Sequence, residues 1–269
     1  AIKLSFSANT DDFYAGLNAL SEHKEQAFSY LGSALTQARF DDSALARIRR
    51  QTLLAIKQQQ ERPYYRLGKA WRERIFANHP YSKDGLGTEK TVRNLSKKDL
   101  QNFVKNYLTR ENIIVSVAGD VTPSELAELL DKNLKNLPAN YKPDVKITYI
   151  SPPKDAKQIV INQDIPQTII HFGMEGLKRS DPDYITAYVM NYLLGGGSLT
   201  SKLNTEIREK RGLTYSASSA LTQMQHANLF EGGFATRNEK AGEAISALKQ
   251  TLNDFFQNGI SESELADTK

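Results

Sequence analysis

Apolar residues recur along this chain with two periods, three to four residues in some stretches and two residues in others. The longer period is typical of an amphipathic helix and the shorter of a half-buried strand. In the first half, the helical period predicts helices over 22–38, 42–60, from Pro63 to Asn78, from Ser96 to Tyr107 and from Thr122 to Leu137. Alternation and apolar runs predict strands over 2–8, 12–20 and 113–118, the last of them buried, and a glycine-containing loop over 81–92.

The second half shows similar signals in a similar order. Strands are predicted over 158–162, 168–175, 214–223 and 227–236, and helices from Asp181 into the glycines at 195–197, around Arg208 and from Glu239 to Asn258. Strict alternation of single strands with single helices is absent from both halves. The chain is therefore predicted to have an α+β fold rather than a doubly wound parallel sheet.

Prolines and polar residues concentrate between the two halves, at Pro138, Pro143, Pro152 and Pro153. Such a composition is typical of a linker. We therefore predict an N-terminal domain over 1–140, a linker over 141–157 and a C-terminal domain over 158–269. The two domains are expected to be similar two-layer structures related by an ancient duplication. The strand-like beginning of the chain and the helix-like residues 261–265 predict a fragment truncated at both ends.

Composition narrows the classes of function. The chain has 269 residues, of which 39% are hydrophobic and 25% charged, as is ordinary for a globular protein. No apolar run approaches the roughly 20 residues that span a membrane. The net charge is +4, but the basic residues are scattered among acids, which favours a solvated surface over a nucleic-acid-binding one. The absence of cysteine excludes disulfides, thiolate catalysis and thiolate zinc sites.

The four histidines do not form a metal-binding motif. A helical zinc pair needs two histidines about one turn apart, but His23, His79, His171 and His226 are far apart in the sequence. Neither H-E-x-x-H nor H-x-x-E-H occurs, and the common serine-nucleophile, P-loop and dinucleotide motifs are also missing. His79 is instead expected to bond free carbonyls at the end of a helix.

One stretch offers groups that can hold a peptide. A helix that ends at Gly212 would place Arg208 on the helix and Tyr215 at the start of the next strand, in one locality. The forked donors of a guanidinium and the hydroxyl of a phenol can both bind a carbonyl or carboxylate oxygen. Taken alone, the pair is explained more simply by an exposed arginine that pairs with Glu206 or Glu209.

Two segments carry a resemblance to a known family. The stretch from Leu194 to Ser216, with its glycine run and the pair Arg208 and Tyr215, closely resembles the C-terminal-domain signature of the pitrilysin/insulinase family, which includes the mitochondrial processing peptidases. A second segment, from Asn78-His79-Pro80-Tyr81 through Gly87-Thr88 to Gly119-Asp120, resembles the family's H-P-Y … G-T … G-D run in order and spacing. The resemblance covers essentially the whole chain and implies the metallohydrolase fold of the processing-peptidase type for both domains.

The resemblance also implies roles for particular residues. Active members bind zinc with the two histidines of an H-x-x-E-H helix and a downstream glutamate, and the metal-bound water attacks the peptide. An arginine and a tyrosine seven residues apart contact the substrate, and Arg208 and Tyr215 match that pair and its spacing. They would hydrogen-bond a substrate carbonyl near the cleaved bond. The H-x-x-E-H segment is absent, and Ala55 stands where the third zinc ligand is expected.

These departures favour a non-catalytic subunit or inactive homologue of a zinc metallopeptidase, with no catalytic residue or metal ligand in this chain. Its substrate would be a peptide or unfolded polypeptide, and it would form a heterodimer with a catalytic family subunit, or a homodimer. Zinc would lie in that partner or in an upstream segment. Two alternatives stay open: a fragment of an active zinc metalloendopeptidase whose motif precedes Ala1, and a peptide-binding module without a role in proteolysis. Exported bacterial relatives suggest a periplasmic or envelope location.

Overall fold

The computed structural model describes residues 1–143, 145–197, 199–262 and 265. Ser198, beside the predicted glycine-rich helix end, lies outside these residues, as do Asp144 in the predicted linker and residues 263, 264 and 266–269 in the predicted terminal helix. Among the residues that the structure describes, no helix has both the length and the apolar character needed to cross a bilayer.

Strands and helices are mixed along the described chain, which confirms the predicted α+β class. The strands are β1 (Lys3–Ala8), β2 (Phe13–Asn18), β3 (Gln167–Glu175), β4 (Ala217–Gln223) and β5 (Asn228–Arg237). The α-helices are α1 (Lys24–Thr36), α2 (Asp42–Gln60), α3 (Pro63–Ile75), α4 (Glu89–Asn94), α5 (Lys97–Tyr107), α6 (Pro123–Leu134), α7 (Tyr184–Asn191) and α8 (Ala241–Asn258). Wider helical turns of the π type cover Tyr192–Gly196 and Asn204–Glu209.

Packing divides the chain into two compact units. The first unit contains Ala1–Gln58 and Gly85–Ile147, and the second contains Gln59–Asp84 and the described residues of Thr148–Lys269. Helix α3 therefore packs with the C-terminal half of the chain, although it lies early in the sequence. The division into sequence domains over 1–140 and 158–269 stays a prediction.

In the first unit, α1 and α6 pack around a small leucine core. Leu35, Leu134 and Leu137 are buried together. The two helices come so close that a Cβ on Gly32 would lie 2.5 Å from the carbonyl oxygen of Asn133. β1 and β2 form a separate two-stranded antiparallel sheet in which Lys3 pairs with Asn18 and Ala8 with Phe13.

The predicted helix starts at Ser96 and Thr122 are confirmed, and side-chain caps form at both. The Ser96 backbone N–H donates to Asp99 at 2.7 Å, and the Asp99 N–H donates back to the Ser96 hydroxyl. Thr122 and Glu125 form the same reciprocal pair at the start of α6. The hydrogen bond from the Thr122 backbone and the ammonium of Lys24 lower the pKa of Glu125 to about 2. Local chemistry thus fixes where these helices begin.

The second unit is built on a three-stranded antiparallel sheet with strand order β3-β5-β4. One face packs against α8 and the two π-type turns, in a core that includes Leu203, Ile207 and Phe234. On the other side of the sheet, Leu229 packs in a second cluster with Ile75 and its neighbours from α3. Because side chains alternate between the faces of a strand, the residues beside Phe234 in sequence point towards the α3 side.

Two predicted strands are wrong. Residues 113–118 join no ladder among the described residues, and the side chain of Ile114 is 95% exposed. Residues 158–162 likewise join no ladder within the described chain, and Ile159, Val160 and Ile161 are exposed. An apolar run shows only that a segment can be buried, whereas a strand also needs a neighbour that satisfies its backbone hydrogen bonds. In the first unit, β1 and β2 pair only with each other within the described chain.

Two further predictions need correction. The predicted loop over 81–92 contains part of a short 3-10 turn, Pro80–Ser82, and most of helix α4. α4 begins because the Thr88 hydroxyl accepts a hydrogen bond from the Thr91 backbone N–H. Tyr215 does not open a strand, since β4 starts two residues later at Ala217. The tyrosine lies in the loop that leads into β4.

Candidate functional site

Arg208 lies on a helical turn that buried residues hold in place. Ile207 and Asn204 are buried on the inner side of this turn. The Asn204 side-chain oxygen accepts a hydrogen bond from the Ala217 backbone N–H at 3.0 Å, which ties the turn to the first residue of β4. This buried hydrogen bond therefore links the turn that carries Arg208 to the strand that follows Tyr215.

The helical segment ends at Glu209, three residues before the predicted end at Gly212, and Gly212 closes the turn that follows it. Gly212 has a φ of 60°, a left-handed conformation that favours glycine. Its N–H donates to the Arg208 carbonyl at 2.8 Å, and the N–H of the buried Leu213 donates to the Ile207 carbonyl at 3.0 Å. Beyond this point, the Thr214 hydroxyl bonds both the N–H and the carbonyl of Ser216. These bonds fix the path of the loop that carries Tyr215.

Two neighbouring cations form shorter ion pairs than Arg208 does. Lys210 and Arg211 both bind Glu206, at 2.6 and 2.9 Å. These two hydrogen-bonded cations hold the pKa of Glu206 below its ordinary value. The described ion pair of Arg208 is a loose 3.9 Å approach to Glu209, and its side chain is 35% exposed. Of the two partners that the simpler explanation offered for Arg208, the structure shows Glu209, whereas Glu206 pairs with the two other cations.

Tyr215 stands at a cavity within the second unit and is 89% exposed. The cavity has a volume of about 500 Å³. Its lining comes from β3, β4 and β5, from residues 214–216 and from Tyr64 and Leu67 of α3. Arg208 is not among the described lining residues. The structure thus places Tyr215 on the cavity and Arg208 on the adjoining turn, seven residues earlier.

Two titratable residues of the cavity lining form a hydrogen-bonded group that sequence reasoning missed. His171 Nε2 lies 3.1 Å from one carboxylate oxygen of Glu231, and the Thr222 hydroxyl donates to the other at 2.6 Å. The Trp71 ring packs edge-on against His171 with centroids 4.4 Å apart. Burial acts to raise the pKa of Glu231, but the hydrogen bonds from His171 and Thr222 outweigh it, so the pKa lies below its ordinary value. Glu231 is therefore a carboxylate held in a fixed position.

No sequence spacing indicates this group, since His171 and Glu231 are 60 residues apart. The register of the sheet brings them together. Gly233 of β5 pairs with His171 of β3 on one side and with Ser218 of β4 on the other. Because Gly233 has no side chain, it leaves an opening between these two neighbours. The local signal is a single histidine between the apolar residues Ile170 and Phe172 of β3.

The residue at the zinc-ligand position that the resemblance implies cannot bind a metal ion. Ala55 lies on α2, half-buried, and its methyl group offers no ligand atom. Among the described residues, no group of three or more histidines, cysteines, aspartates or glutamates is placed to hold a metal. His79 is buried, and its ring bonds the Thr148 carbonyl at 3.0 Å and the Tyr81 N–H at 3.2 Å. The ring therefore bonds a carbonyl outside α3, while the expected bond at the helix end is made by the His79 backbone N–H, which donates to the Phe76 carbonyl at 3.0 Å.

Comparison with known proteins gives this geometry a context. A sequence profile described as the peptidase M16 inactive domain matches residues 94–269. A Helicobacter pylori protein, the non-peptidase homolog YmxG, is 26% identical over 100% of this chain and 62% of its own length. A Bacillus subtilis protein, the uncharacterized zinc protease YmxG, is 23% identical over 96% of this chain and 61% of its own length. The chain therefore spans about three fifths of the length of these relatives.

Solved structures share the fold. The peptidase M16 inactive domain from Pseudomonas fluorescens is 26% identical with a TM-score of 0.91, over 99% of this chain and 65% of that chain. A chain of complex III2 from Candida albicans is 15% identical with a TM-score of 0.79, over 99% of this chain and 65% of that chain. Pitrilysin is 16% identical with a TM-score of 0.71, over 98% of this chain and 29% of that chain. The structural neighbours thus include parts of larger chains and of a multi-subunit complex.

Proposed function

The chain belongs to the peptidase M16 family, and from this premise we propose that it is a non-catalytic part of a composite peptidase that contacts the peptide substrate through Arg208 and Tyr215. Its membership confirms the pitrilysin/insulinase resemblance, and the matching profile is that of the inactive domain. Under this proposal a catalytic family subunit supplies the zinc centre. The substrate is a peptide or an unfolded polypeptide in an extended conformation.

The observation that carries the proposal is the contrast between a fixed backbone and exposed side chains. Buried hydrogen bonds hold the turn of Arg208 and the loop of Tyr215 in place. The guanidinium nevertheless has only a loose described partner, and the phenol is almost fully exposed. Hydrogen-bond donors that are exposed on an ordered backbone bind a ligand at a small cost in conformational entropy.

The chemistry of the pair suits a peptide carbonyl. The guanidinium and the phenol hydroxyl both donate hydrogen bonds, and the guanidinium is always charged. Donors held near a scissile carbonyl would stabilise the negative charge that develops on its oxygen during hydrolysis. Ala55 fits the same division of labour, because this chain would contribute contacts to the substrate and the partner would contribute the metal.

Peptide turnover by the complex with its catalytic partner tests the proposal. We expect Arg208→Ala and Tyr215→Phe each to lower kcat/KM by about a hundredfold if they contact the developing oxyanion, without changing assembly as judged by size-exclusion chromatography. Lys210→Ala is the matched control, since it removes a cation from the same turn that already pairs with Glu206. Full activity of the complex that carries both Arg208→Ala and Tyr215→Phe would refute the proposal.

An active zinc peptidase is the second candidate, because one relative is named an uncharacterized zinc protease. Ala55 argues against it, since alanine cannot replace a carboxylate ligand. Metal analysis and peptide hydrolysis by the purified full-length protein without any partner separate the two candidates. One bound zinc per chain together with hydrolysis would favour the active peptidase.

A further inference from the structure

We propose that Glu231 is a positioning residue that holds helix α3 against the sheet through Trp71 and so sets the shape of the peptide site beside Tyr215. This inference rests on the proposed function, because it assigns the cavity at Tyr215 to the bound peptide, and it adds a residue that acts on that peptide only through α3. The helix lies early in the chain, yet it packs within the second unit and contributes Tyr64 and Leu67 to the cavity lining.

One face of α3 meets the sheet. Tyr64, Leu67 and Trp71 are spaced three and four residues apart, so they lie on the same side of the helix. The first two line the cavity, whereas the Trp71 ring packs edge-on against His171 with centroids 4.4 Å apart. The place where Trp71 is held on the sheet therefore determines where the cavity-lining part of α3 lies.

The carboxylate of Glu231 accepts hydrogen bonds from three different elements. It lies 3.1 Å from His171 Nε2 of β3, and the Thr222 hydroxyl of β4 donates to it at 2.6 Å. The Trp71 side chain of α3 hydrogen-bonds the same carboxylate, and it is the donor because an indole N–H can only donate. Burial acts to raise the pKa of Glu231, but these bonds outweigh it and hold the pKa below its ordinary value. A charged acceptor makes each bond stronger than one between neutral groups.

The register of the sheet explains why one side chain can reach all three donors. Glu231 pairs directly with Gly173 of β3 and with Ala220 of β4, two small residues. A Cβ on Gly173 would lie 3.0 Å from the Cβ of Glu231, so the glycine leaves room for the acidic side chain. His171 and Thr222 pair with the β5 residues two positions either side of Glu231, and all three side chains therefore share the face that meets α3.

Apolar packing fastens α3 independently of this carboxylate. Ile75 and Phe76, at the C-terminal end of the helix, are buried with Leu229 in the cluster against which Trp71 also packs. Loss of the hydrogen bond to Glu231 should therefore leave α3 attached at that end and allow its cavity-lining end to shift. The carboxylate thus controls the position of the helix, whereas the apolar cluster controls its attachment.

Fluorescence quenching reads the position of α3 directly, because Trp71 is the one tryptophan of the chain. We expect Glu231→Gln to increase the quenching of Trp71 by acrylamide in the full-length protein, since a neutral amide holds the indole less firmly and offers one oxygen to three donors. Thr222→Val is the matched control. It removes a hydrogen bond to the same carboxylate but leaves both contacts of Trp71, so the quenching should not change.

Peptide turnover by the complex with the catalytic partner tests the effect on the site. Trp71→Phe keeps an aromatic ring beside His171 but removes the indole N–H, and it serves as the test even if Glu231→Gln disturbs the fold. We expect KM to rise by up to about tenfold, as for the loss of one hydrogen bond to a charged group. The value of kcat should stay within about twofold, because other contacts fix Arg208 and Tyr215.

A purely structural role for Glu231 makes a different prediction, in which KM follows Tm alike in Trp71→Phe and Thr222→Val. An equal rise of KM in these two variants would therefore overturn the inference, as would unchanged quenching in Glu231→Gln or unchanged KM in Trp71→Phe.

The outcome also separates this inference from the proposed function. If only the positioning role is wrong, Arg208→Ala will still lower kcat/KM although Trp71→Phe has no effect on KM. If the peptide contact is wrong, Arg208→Ala and Tyr215→Phe will leave turnover unchanged, whereas Glu231→Gln will still increase the quenching of Trp71.

Discussion

The two compact units use their sheets differently. In the first unit, β1 and β2 form a two-stranded sheet whose residues are mostly exposed. In the second unit, β3, β4 and β5 pack against helical cores on both sides, and the loop that leads into β4 carries Tyr215. The candidate site thus lies on the better-packed scaffold. Precise contacts to a ligand need backbone that packing holds in place.

The same contrast appears in the chemistry that each unit carries. The first unit has Ala55 at the position where the resemblance implies a zinc ligand, and a methyl group supports no metal chemistry. The second unit keeps Arg208 and Tyr215 at the spacing that the resemblance implies. An alanine at the implied ligand position of one unit, beside hydrogen-bond donors in the other, is consistent with the proposed role in substrate contact.

Truncation of a leucine in each sheet should give the largest difference between the units in the free energy of unfolding. Leu229 on β5 is 1% exposed, whereas Leu17 on β2 is only partly buried. We expect Leu229→Ala to lower the free energy of unfolding by about 2–5 kcal/mol, because it leaves a cavity in a packed core. Leu17→Ala should cost about 1 kcal/mol or less. Urea unfolding monitored by circular dichroism measures both, and equal losses would contradict the contrast.

Close backbone approaches should give the next largest effects, one in each unit. A Cβ on Gly195 would lie 2.6 Å from the Ser219 hydroxyl, and one on Gly32 would lie 2.5 Å from the Asn133 carbonyl oxygen. Either glycine-to-alanine change should destabilise the protein by about 1–3 kcal/mol through overpacking. Gly242→Ala is the control, since nothing lies within 4 Å of its Cβ position. Only Gly195→Ala should also lower peptide turnover, because Gly195 packs against β4.

The pH dependence of Tm should show the smallest effect, and it should differ between a carboxylate of the second unit and one of the first. The pKa of Glu231 is lowered in the folded protein, so its contribution to stability is present above its unfolded pKa, near 4.5, and is lost as the pH falls below that value. Glu231→Gln should therefore flatten the decline of Tm with acidification below about pH 4.5. Glu125→Gln in the first unit should flatten it from about 4.5 down to about 2. Unchanged profiles would mean that neither carboxylate is held as described.

Features with local causes could be predicted from the sequence. The caps at Ser96 and Thr122 depend on residues three positions away, and the turn that follows the helical segment depends on the positive φ of Gly212. Arg208 and Tyr215 could be selected because a motif carried both. Thr88 caps α4 by the same chemistry, but this helix of six residues is too short to show a helical period of apolar residues.

Features with distant causes could not be predicted. The exposure of residues 113–118 depends on which strands are available to pair, and the apolar run contains no such information. Glu231 meets His171 through the register of β3 against β5. The loose contact of Arg208 depends on Glu206 binding Lys210 and Arg211 instead, although all four charges are neighbours in sequence. Local spacing allows several pairings, and the fold selects among them.

Site-specific photo-cross-linking tests most directly whether this chain contacts the peptide. Benzoylphenylalanine would replace Tyr215 in one variant and Phe256 in another. Phe256 is a matched control, since it is an exposed aromatic residue of the same unit but lies on α8 and does not line the cavity. We expect a labelled substrate peptide to cross-link at position 215 in the complex with the catalytic partner and to give only background at position 256. Equal labelling of both positions, or none at 215, would contradict a peptide contact at this site.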